Sequence, residues 1–366
     1  MYHYSENNNF LRKSSTQVIH GSFGSCKLQM LKLGRSLAMP QVVRGALDIG
    51  SGQHKLLIAA VDTVSRRIVR KIHLDQAGVL LGHSLVQSAD GRLDEAILED
   101  SRSVFERFAA AGREHGATEW AGVCTAVFRR ASNGEEHLAR ANAELGLNLN
   151  LIEQKLEGEL GYLAASSGCE ASAEQLVAWD SGSGSFQVSS RAGDGALKVW
   201  EGPIGDSDVT AALVRDVQKR DFAGGGKVGQ RASPNPVSLT QAEQLSALLL
   251  DARIPPPPEW VAAACAAPDA VLVGFGEKTS IFSHAAKLIG ADEFGAAEVW
   301  SAIERVAGRS DAELKAAHGL DNEEDLIMPK LVLLHAMLNR LGASRVRNIL
   351  TMGNCEGVLL CDELWS

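Results

Sequence analysis

The sequence predicts an α/β protein built as two similar halves that face each other across a cleft. Three observations carry this. Apolar segments with the two-residue alternation of strands are interspersed with segments of helical spacing. The motif Asp-x-Gly-Ser-Gly, with apolar strand-like runs before and after it, occurs twice, headed by Asp48 and by Asp180. A chain of 366 residues also exceeds one ordinary domain, so two are expected.

Residues 1–43 stand apart. They are rich in Asn, Ser, Lys and Arg, and Glu6 is their only acid. Both an organelle transit peptide and a leader read from an early start codon fit this composition, with Met39 as the later start and a disordered tail as the third reading. Domain I is expected over 44–155, with strands at 45–49, 55–61 and 68–74 as a meander, a helix at 93–115 and a strand at 120–126. A helix at 135–145 and a strand at 149–153 complete it. Domain II is expected over 156–366. It begins with a helix at 157–167 and the Asp180 hairpin, followed by a strand at 198–204 and a helix at 210–219. Loops are expected at 222–236 and 255–258, a strand at 270–274, and helices at 297–306, 311–318 and 325–341. A strand at 346–352 and a helix from 356 close the chain, the helix packing back on domain I. Gly224-Gly225-Gly226-Lys227 lacks the spacing and the following Ser or Thr of a P-loop and is rejected as one.

The two glycine turns carry the chemistry. Glycine lets the backbone approach a ligand closely, so converging N–H groups can hold phosphate oxygens while a carboxylate at the strand end holds a cation. Gly50, Ser51 and Gly52 form one candidate cradle. Gly182, Ser183, Gly184 and Ser185 form the second, and Gly274 with Gly276 a third. Asp48 and Asp180 are the candidate metal ligands, though an Asp at such a place also caps its own turn. Arg129 and Arg130 follow a strand and are suited to clamp phosphate oxygens or to remain solvated. Glu157 and Glu159 open a helix, where the dipole favours them in any case. His54, beside the first turn, is the histidine nearest this chemistry.

The formal charge of -9 argues against nucleic acid as the main partner. It leaves room for a phosphate substrate only where metal ions, N–H groups and placed cations cancel the repulsion. The six cysteines show no C-x-x-C pair and read as reduced thiols of a reducing compartment. No apolar run approaches the ~18 residues that span a bilayer, so no membrane partner is expected.

Six blocks, taken in order, resemble a known family. They are A-L-D-I-G-S-G-Q-H-K-L-L-I, C-T-A-V-F-R-R-A-S-N, N-L-I-E-Q-K-L-E-G-E-L-G-Y-L-A, W-D-S-G-S-G-S-F-Q, P-I-G-D-S-D-V-T and V-G-F-G-E-K-T, spread from about Ala46 to about Leu360. The set is similar to the exopolyphosphatase and guanosine pentaphosphate phosphohydrolase (Ppx/GppA) family, in its short two-domain form. The resemblance implies two RNase H-like domains of the actin, Hsp70 and sugar-kinase superfamily. It implies magnesium-dependent release of terminal phosphate from linear polyphosphate, with guanosine pentaphosphate as the alternative substrate and a catalytically weak phosphate or nucleotide sensor as the alternative role. A sugar kinase or actin-like ATPase is a third reading within the superfamily. On this resemblance Glu157 is the general base, Asp48 and Asp180 lie at magnesium, Arg129 and Asn133 match family positions, and the three glycine turns bind phosphate. A homodimer fits the same resemblance, as does a cytoplasmic location or, with a transit peptide, an organelle stroma or matrix. The chain departs from the family pattern at Gly52, Gln53, Ser183, Phe186, Gln187 and Glu277. Loss of a carboxylate at 187 and gain of one at 277 both disfavour a magnesium polyphosphate in the usual pose.

Overall fold

The computed structural model describes residues 41–191, 195–221 and 233–365. The expected leader and most of the 222–236 loop, including the rejected P-loop, lie outside the described residues. The first half runs β1 (Gln41–Ile49), β2 (Gln53–Asp62), β3 (Arg67–Gly78), α1 (Leu81–Gln87), α2 (Glu95–His115), β4 (Glu119–Cys124), α3 (Ala126–Arg130), α4 (Gly134–Leu145), β5 (Leu149–Leu151) and α5 (Gln154–Gly168). The second half begins β6 (Leu176–Ser181), β7 (Phe186–Arg191), β8 (Leu197–Gly202), α6 (Asp206–Ala212), α7 (Leu239–Leu248), α8 (Glu259–Ala266), β9 (Val271–Gly276) and α9 (Ile281–Ile289). It ends β10 (Glu293–Phe294), α10 (Ala296–Val306), α11 (Asp311–His318), α12 (Ile327–Leu341), β11 (Val346–Leu350) and α13 (Cys355–Leu360).

Both halves use one strand order. In the first sheet β1, β2 and β3 form an antiparallel meander, and β4 and then β5 join β1 in parallel, giving β3-β2-β1-β4-β5. In the second sheet β6, β7 and β8 form the meander and β9 and β11 join in parallel, with the short β10 added at the far edge. The duplication read from the two glycine turns therefore extends through two whole sheets, as the α/β expectation with two RNase H-like domains requires.

Several elements differ from the sequence expectations. β1 begins at Gln41 because Val42 and Val43 continue the ladder opposite Val61 and Ala60. The helix expected at 210–219 starts at Asp206, and its later part is a π-helical turn, Leu213–Val217. Arg129 and Arg130 do not directly follow a strand, since they close the short helix α3. Helices α1, α7, α8 and α9 lie where no helix was assigned. The α9 boundaries are nevertheless written in the sequence: Ser280 accepts from the Ser283 N–H at the N-cap, and Gly290 ends the helix in the left-handed region. For α2 the expected apolar face is the observed one, with Ile97, Val104, Phe105, Phe108 and Ala109 buried and Asp94 as N-cap.

Each sheet is covered on both faces, as parallel strands require. One face of the first sheet packs under α2 and α4, and the other carries a cluster in which Ala46, Leu57 and Val123 meet Val358 and Leu359 of α13. On the second sheet the main core faces α12, while Tyr162, Ala164 and Ala165 of α5 cover Ala178 and Val273 on the opposite face. Each half thus lends its last helix toward the other. The helix α5 lies against β6, β7 and β8, whereas α13 lies against β1 and β2 and crosses α5. Gly357 makes that crossing possible, because a Cβ there would collide with the Leu160 carbonyl.

Candidate active site in the interdomain cleft

The carboxyl ends of the parallel strands from both sheets open onto one cavity of about 100 Å³, the place where open α/β sheets present their ligands. The two glycine turns meet there. Within each turn the first glycine N–H is spent locally, from Gly50 to the Gln53 carbonyl at 2.9 Å and from Gly182 to the Ser185 carbonyl at 3.0 Å. The turn carbonyls are also satisfied in matching ways. Val79 and Gly82 donate to Gly52 and Ser51, and Asp206 and Ser207 donate to Gly182 and Ser183. The start of α1 therefore caps the first turn as the start of α6 caps the second, and the N–H groups of Ser51, Gly52, Ser183 and Gly184 have no backbone acceptor among the described residues. The expectation that Gly50 and Gly182 themselves offer N–H groups is corrected, although both still line the cavity.

The turns interlock. A Cβ at Gly52 would lie 2.6 Å from Ser183 Oγ, and one at Gly184 would lie 3.0 Å from Ser51 Oγ. The departures at 52 and 183 are thus one feature: the hydroxyl at 183 fills the room that a side chain at 52 would need.

Asp48 and Asp180 are brought together through Asn354. Asp48 Oδ2 accepts from the Asn354 N–H at 3.0 Å, and Asp180 Oδ2 accepts from Asn354 Nδ2 at 3.4 Å. Their other surroundings differ. Lys55 stands opposite Asp48 in the β1–β2 ladder, with Nζ 3.6 Å from Asp48 and 3.1 Å from Glu277. Burial opposes the Lys55 charge, but Glu277 and then Asp48 outweigh it and hold the ammonium above the usual lysine range. Burial likewise opposes ionisation of Glu277, and Lys55 brings it below the usual carboxylate range. Gln187 stands opposite Asp180 at the equivalent place, donating to Ser185 Oγ at 3.2 Å, with its own Oε1 buried and without a partner among the described residues. Gln187 is not among the residues lining the cavity. Burial, followed by repulsion from Asp48, pushes Asp180 up to about 7, and Lys55 only partly offsets this.

Glu157 enters from the first turn of α5. Burial pushes its carboxyl up to about 8, Arg129 pulls it back, and Asp180 adds to the rise. Both arms of the Arg129 guanidinium are used, Nη2 donating to Glu157 Oε2 and Nη1 to the Ile152 carbonyl, each at 2.8 Å. Arg129 thus holds Glu157 rather than presenting a free clamp to phosphate. Arg130 reaches Asp208 at 3.4 Å instead.

Other expected residues lie elsewhere. Gly274 does not line the cavity, because it makes room for the Phe282 ring in the core. Gly276 does line it, and a Cβ there would lie 2.7 Å from the Ser280 Cβ. His54 points into the first core, stacked on Phe105 and bonded to Ser101 Oγ at 2.8 Å, and burial lowers its pKa to about 3. Asn133 brackets the Leu93 backbone at 2.9 Å through both amide atoms, a structural role. Glu159 pairs with Lys155 on the α5 surface at 3.8 Å. Reasoning from sequence passed over Lys55, Asn354 and Lys330, all of which line the cavity. Counting the hairpin ladder from Asp48 would have found Lys55 directly across from it.

Whether magnesium fits is answered by the donors. Oxygen atoms predominate, and Asn354 Oδ1 and Ser181 Oγ, both from residues lining the cavity, are buried without partners among the described residues. No set of three His, Cys, Asp or Glu among the described residues encloses an ion. Two carboxylates nevertheless suit magnesium, which commonly takes one or two and shares its remaining positions with water and substrate phosphate.

The model of the Ppx/GppA phosphatase family matches residues 57–219. The chain is 26% identical over 172 residues to exopolyphosphatase 1 of Mycobacterium tuberculosis, a match that spans 47% of this chain and 49% of that protein. It thus spans about half the length of the curated relatives it matches. Its fold resembles the crystal structure of the Aquifex aeolicus Ppx/GppA family member, with a TM-score of 0.65 at 20% identity, covering 89% of this chain and 98% of that one. It also resembles an exopolyphosphatase structure from Cytophaga hutchinsonii, with a TM-score of 0.66 at 15% identity, covering 87% and 96%. With the repeated sheets, the paired glycine turns and the family domain matched over residues 57–219, this chain is similar to the Ppx/GppA phosphatase family in both sequence and fold.

Proposed function

We propose that the chain is a hydrolase that releases the terminal phosphate of linear polyphosphate. The observation that carries this reading is the position of Glu157, a buried carboxylate held by Arg129 in the wall of a cavity whose other side is the two interlocked glycine turns. In hydrolysis the attacking group is water, which a base beside it must make nucleophilic. Glu157 takes a water proton as the water oxygen bonds to the terminal phosphorus and the bridging P–O bond breaks, leaving the shortened chain with the bridging oxygen. Arg129 orients the base. The free N–H groups of Ser51, Gly52, Ser183 and Gly184 face the phosphate oxygens on which charge is held. Asp48 and Asp180 would hold magnesium, which would neutralise phosphate charge that the acidic lining otherwise repels. The lining offers Phe275 and His83 as its ring side chains, and most of the rest is carboxylate, hydroxyl or glycine, which favours an inorganic chain over guanosine pentaphosphate.

The test is phosphate release from long polyphosphate with magnesium, run beside guanosine pentaphosphate and ATP. Glu157→Gln is expected to lower release by roughly 10²–10⁴-fold with binding little changed. Glu159→Gln, about 200° round the helix, is expected to leave it nearly intact. Because the base must be ionised, release should rise with pH until above about 8, the value to which burial raises Glu157. Binding of polyphosphate without release at any pH or magnesium level would replace the enzyme with a sensor.

A further inference from the structure

Six carboxylates line the cavity (Asp48, Glu157, Asp180, Asp206, Glu277 and Glu323), and the two lysines among them are already engaged. Lys330, almost wholly buried, donates to Glu323 at 2.5 Å and to the Thr279 carbonyl at 2.6 Å, with Asp206 at 3.7 Å. Lys55 sits between Asp48 of its own sheet and Glu277 of the opposite one. A second bond crosses the cleft beside it, from Gln53 Nε2 to Thr279 Oγ1 at 2.7 Å, and Thr279 Oγ1 in turn donates to Glu277 Oε1 at 3.0 Å. Gln53, Thr279, Glu277 and Lys55 therefore form one chain of polar contacts joining the start of β2 to the segment just after β9. The cavity beneath it, at about 100 Å³, is smaller than the ~300 Å³ at which small-molecule sites begin. Among the described residues lining the cavity, a polyanion finds neither a free lysine nor enough room until this chain parts.

We propose that Glu277 is a built-in competitor for the anion, a carboxylate carried by the second lobe that occupies Lys55 in the resting cleft and must be displaced before phosphate can bind. The carboxylate is matched to the ammonium in charge and distance, as a phosphate oxygen would be. Being attached to the opposite lobe, it also links occupancy of Lys55 to closure of the cleft. Displacing it leaves Lys55 with Asp48 as its remaining carboxylate partner and opens the cavity in one step. Glu277 thereby sets which anions enter: weakly charged ones cannot outcompete a tethered carboxylate, whereas a chain with several adjacent charges can. This rests on the cleft's being the anion site proposed above.

Two measurements on the full chain separate this inference from that reading. The first is equilibrium binding of inorganic tripolyphosphate, with magnesium present. Glu277→Gln keeps the side chain's size and removes its charge, and should tighten binding by about tenfold or more. Gln53→Ser cuts the neighbouring bond without changing charge and should give a smaller gain; an equal gain would overturn charge competition. The second is hydrogen exchange of the ligand-free protein at 53–55 and 276–279, which should be faster in Glu277→Gln. Tight binding by the unmodified chain that Glu277→Gln leaves unchanged overturns the competitor and spares the hydrolase. Faster exchange in Glu277→Gln with no tripolyphosphate bound by any variant keeps the latch and overturns the anion site. Should Glu277→Gln fold poorly, Glu277→Gly, which leaves Asp48 to hold Lys55, carries the same expectations.

Discussion

The two hairpins at the heart of the cleft share a backbone and differ in charge. In each, an Asp ends the first strand, a glycine N–H closes the turn, and a following helix start satisfies the turn carbonyls. Opposite Asp48 stands Lys55, whereas opposite Asp180 stands Gln187. The first hairpin is consequently a settled ion pair, reinforced by Glu277 and the Asn354 N–H. The second holds a carboxyl raised to about 7 with one long bond to Asn354. Duplication supplied two equal cradles, and one residue across the ladder gave the first carboxylate a cationic partner and the second a neutral one.

The largest expected effect follows from removing the cation of the first hairpin. Lys55→Met strands two buried carboxylates, Asp48 and Glu277, and should cost about 3–5 kcal/mol of unfolding free energy. Gln187→Met at the equivalent place removes one hydrogen bond and should cost about 1 kcal/mol. Denaturant unfolding of both variants checks the contrast, and equal losses would mean that the two hairpins are electrostatically alike.

Next in size is the second hairpin's response to pH. A carboxyl with a raised folded pKa binds its proton more tightly in the native state than in the unfolded one. Stability therefore falls as pH rises from about 4 through about 7, and the penalty is complete above that. Asp180→Asn removes it. The variant should be more stable than the unmodified chain at pH 8, by on the order of 4 kcal/mol, with little difference at pH 4. Melting curves at the two pH values read this directly, and a gain of equal size at both would show that charge is not the cause.

The smallest effect tests the interlock between the hairpins. Gly52→Asn forces a side chain against Ser183 Oγ and should destabilise, and Ser183→Gly in the same chain should recover about 1–2 kcal/mol of that loss. Additive single and double variants would mean that the two positions do not share the space.

Much of this arrangement was legible in order along the chain. The repeated Asp-x-Gly-Ser-Gly motif placed both turns, and strand-like apolar runs placed the first meander, the second hairpin and the strand that follows it, because these signals are local and each strand records which face it buries; that this last strand joins the second hairpin as a meander came from the structure. The helical spacing of 93–115 identified the buried face of α2 for the same reason. The helix α9 was missed although Ser280 and Gly290 mark its ends, since a nine-residue apolar segment between glycine turns has no period long enough to separate helix from strand. Arg129 was read as a phosphate clamp because the sequence shows a strand and two cations, not the carboxylate 28 residues later that takes up the guanidinium.

By itself the sequence determined the fold class, the duplication, the two cradles and the carboxylates that head them, since each depends on residues within one hairpin or helix. Only the tertiary structure decided which charges meet. Lys55 comes to Glu277 across 222 positions of chain, Asn354 comes between Asp48 and Asp180 from the far end, and Ser183 fits against Gly52. These contacts cross from one sheet to the other, and no local period records them. They follow from the packing of α5 and α13 between the lobes, which brings the strand ends to one cavity and lets burial and neighbouring charge settle the state of each group.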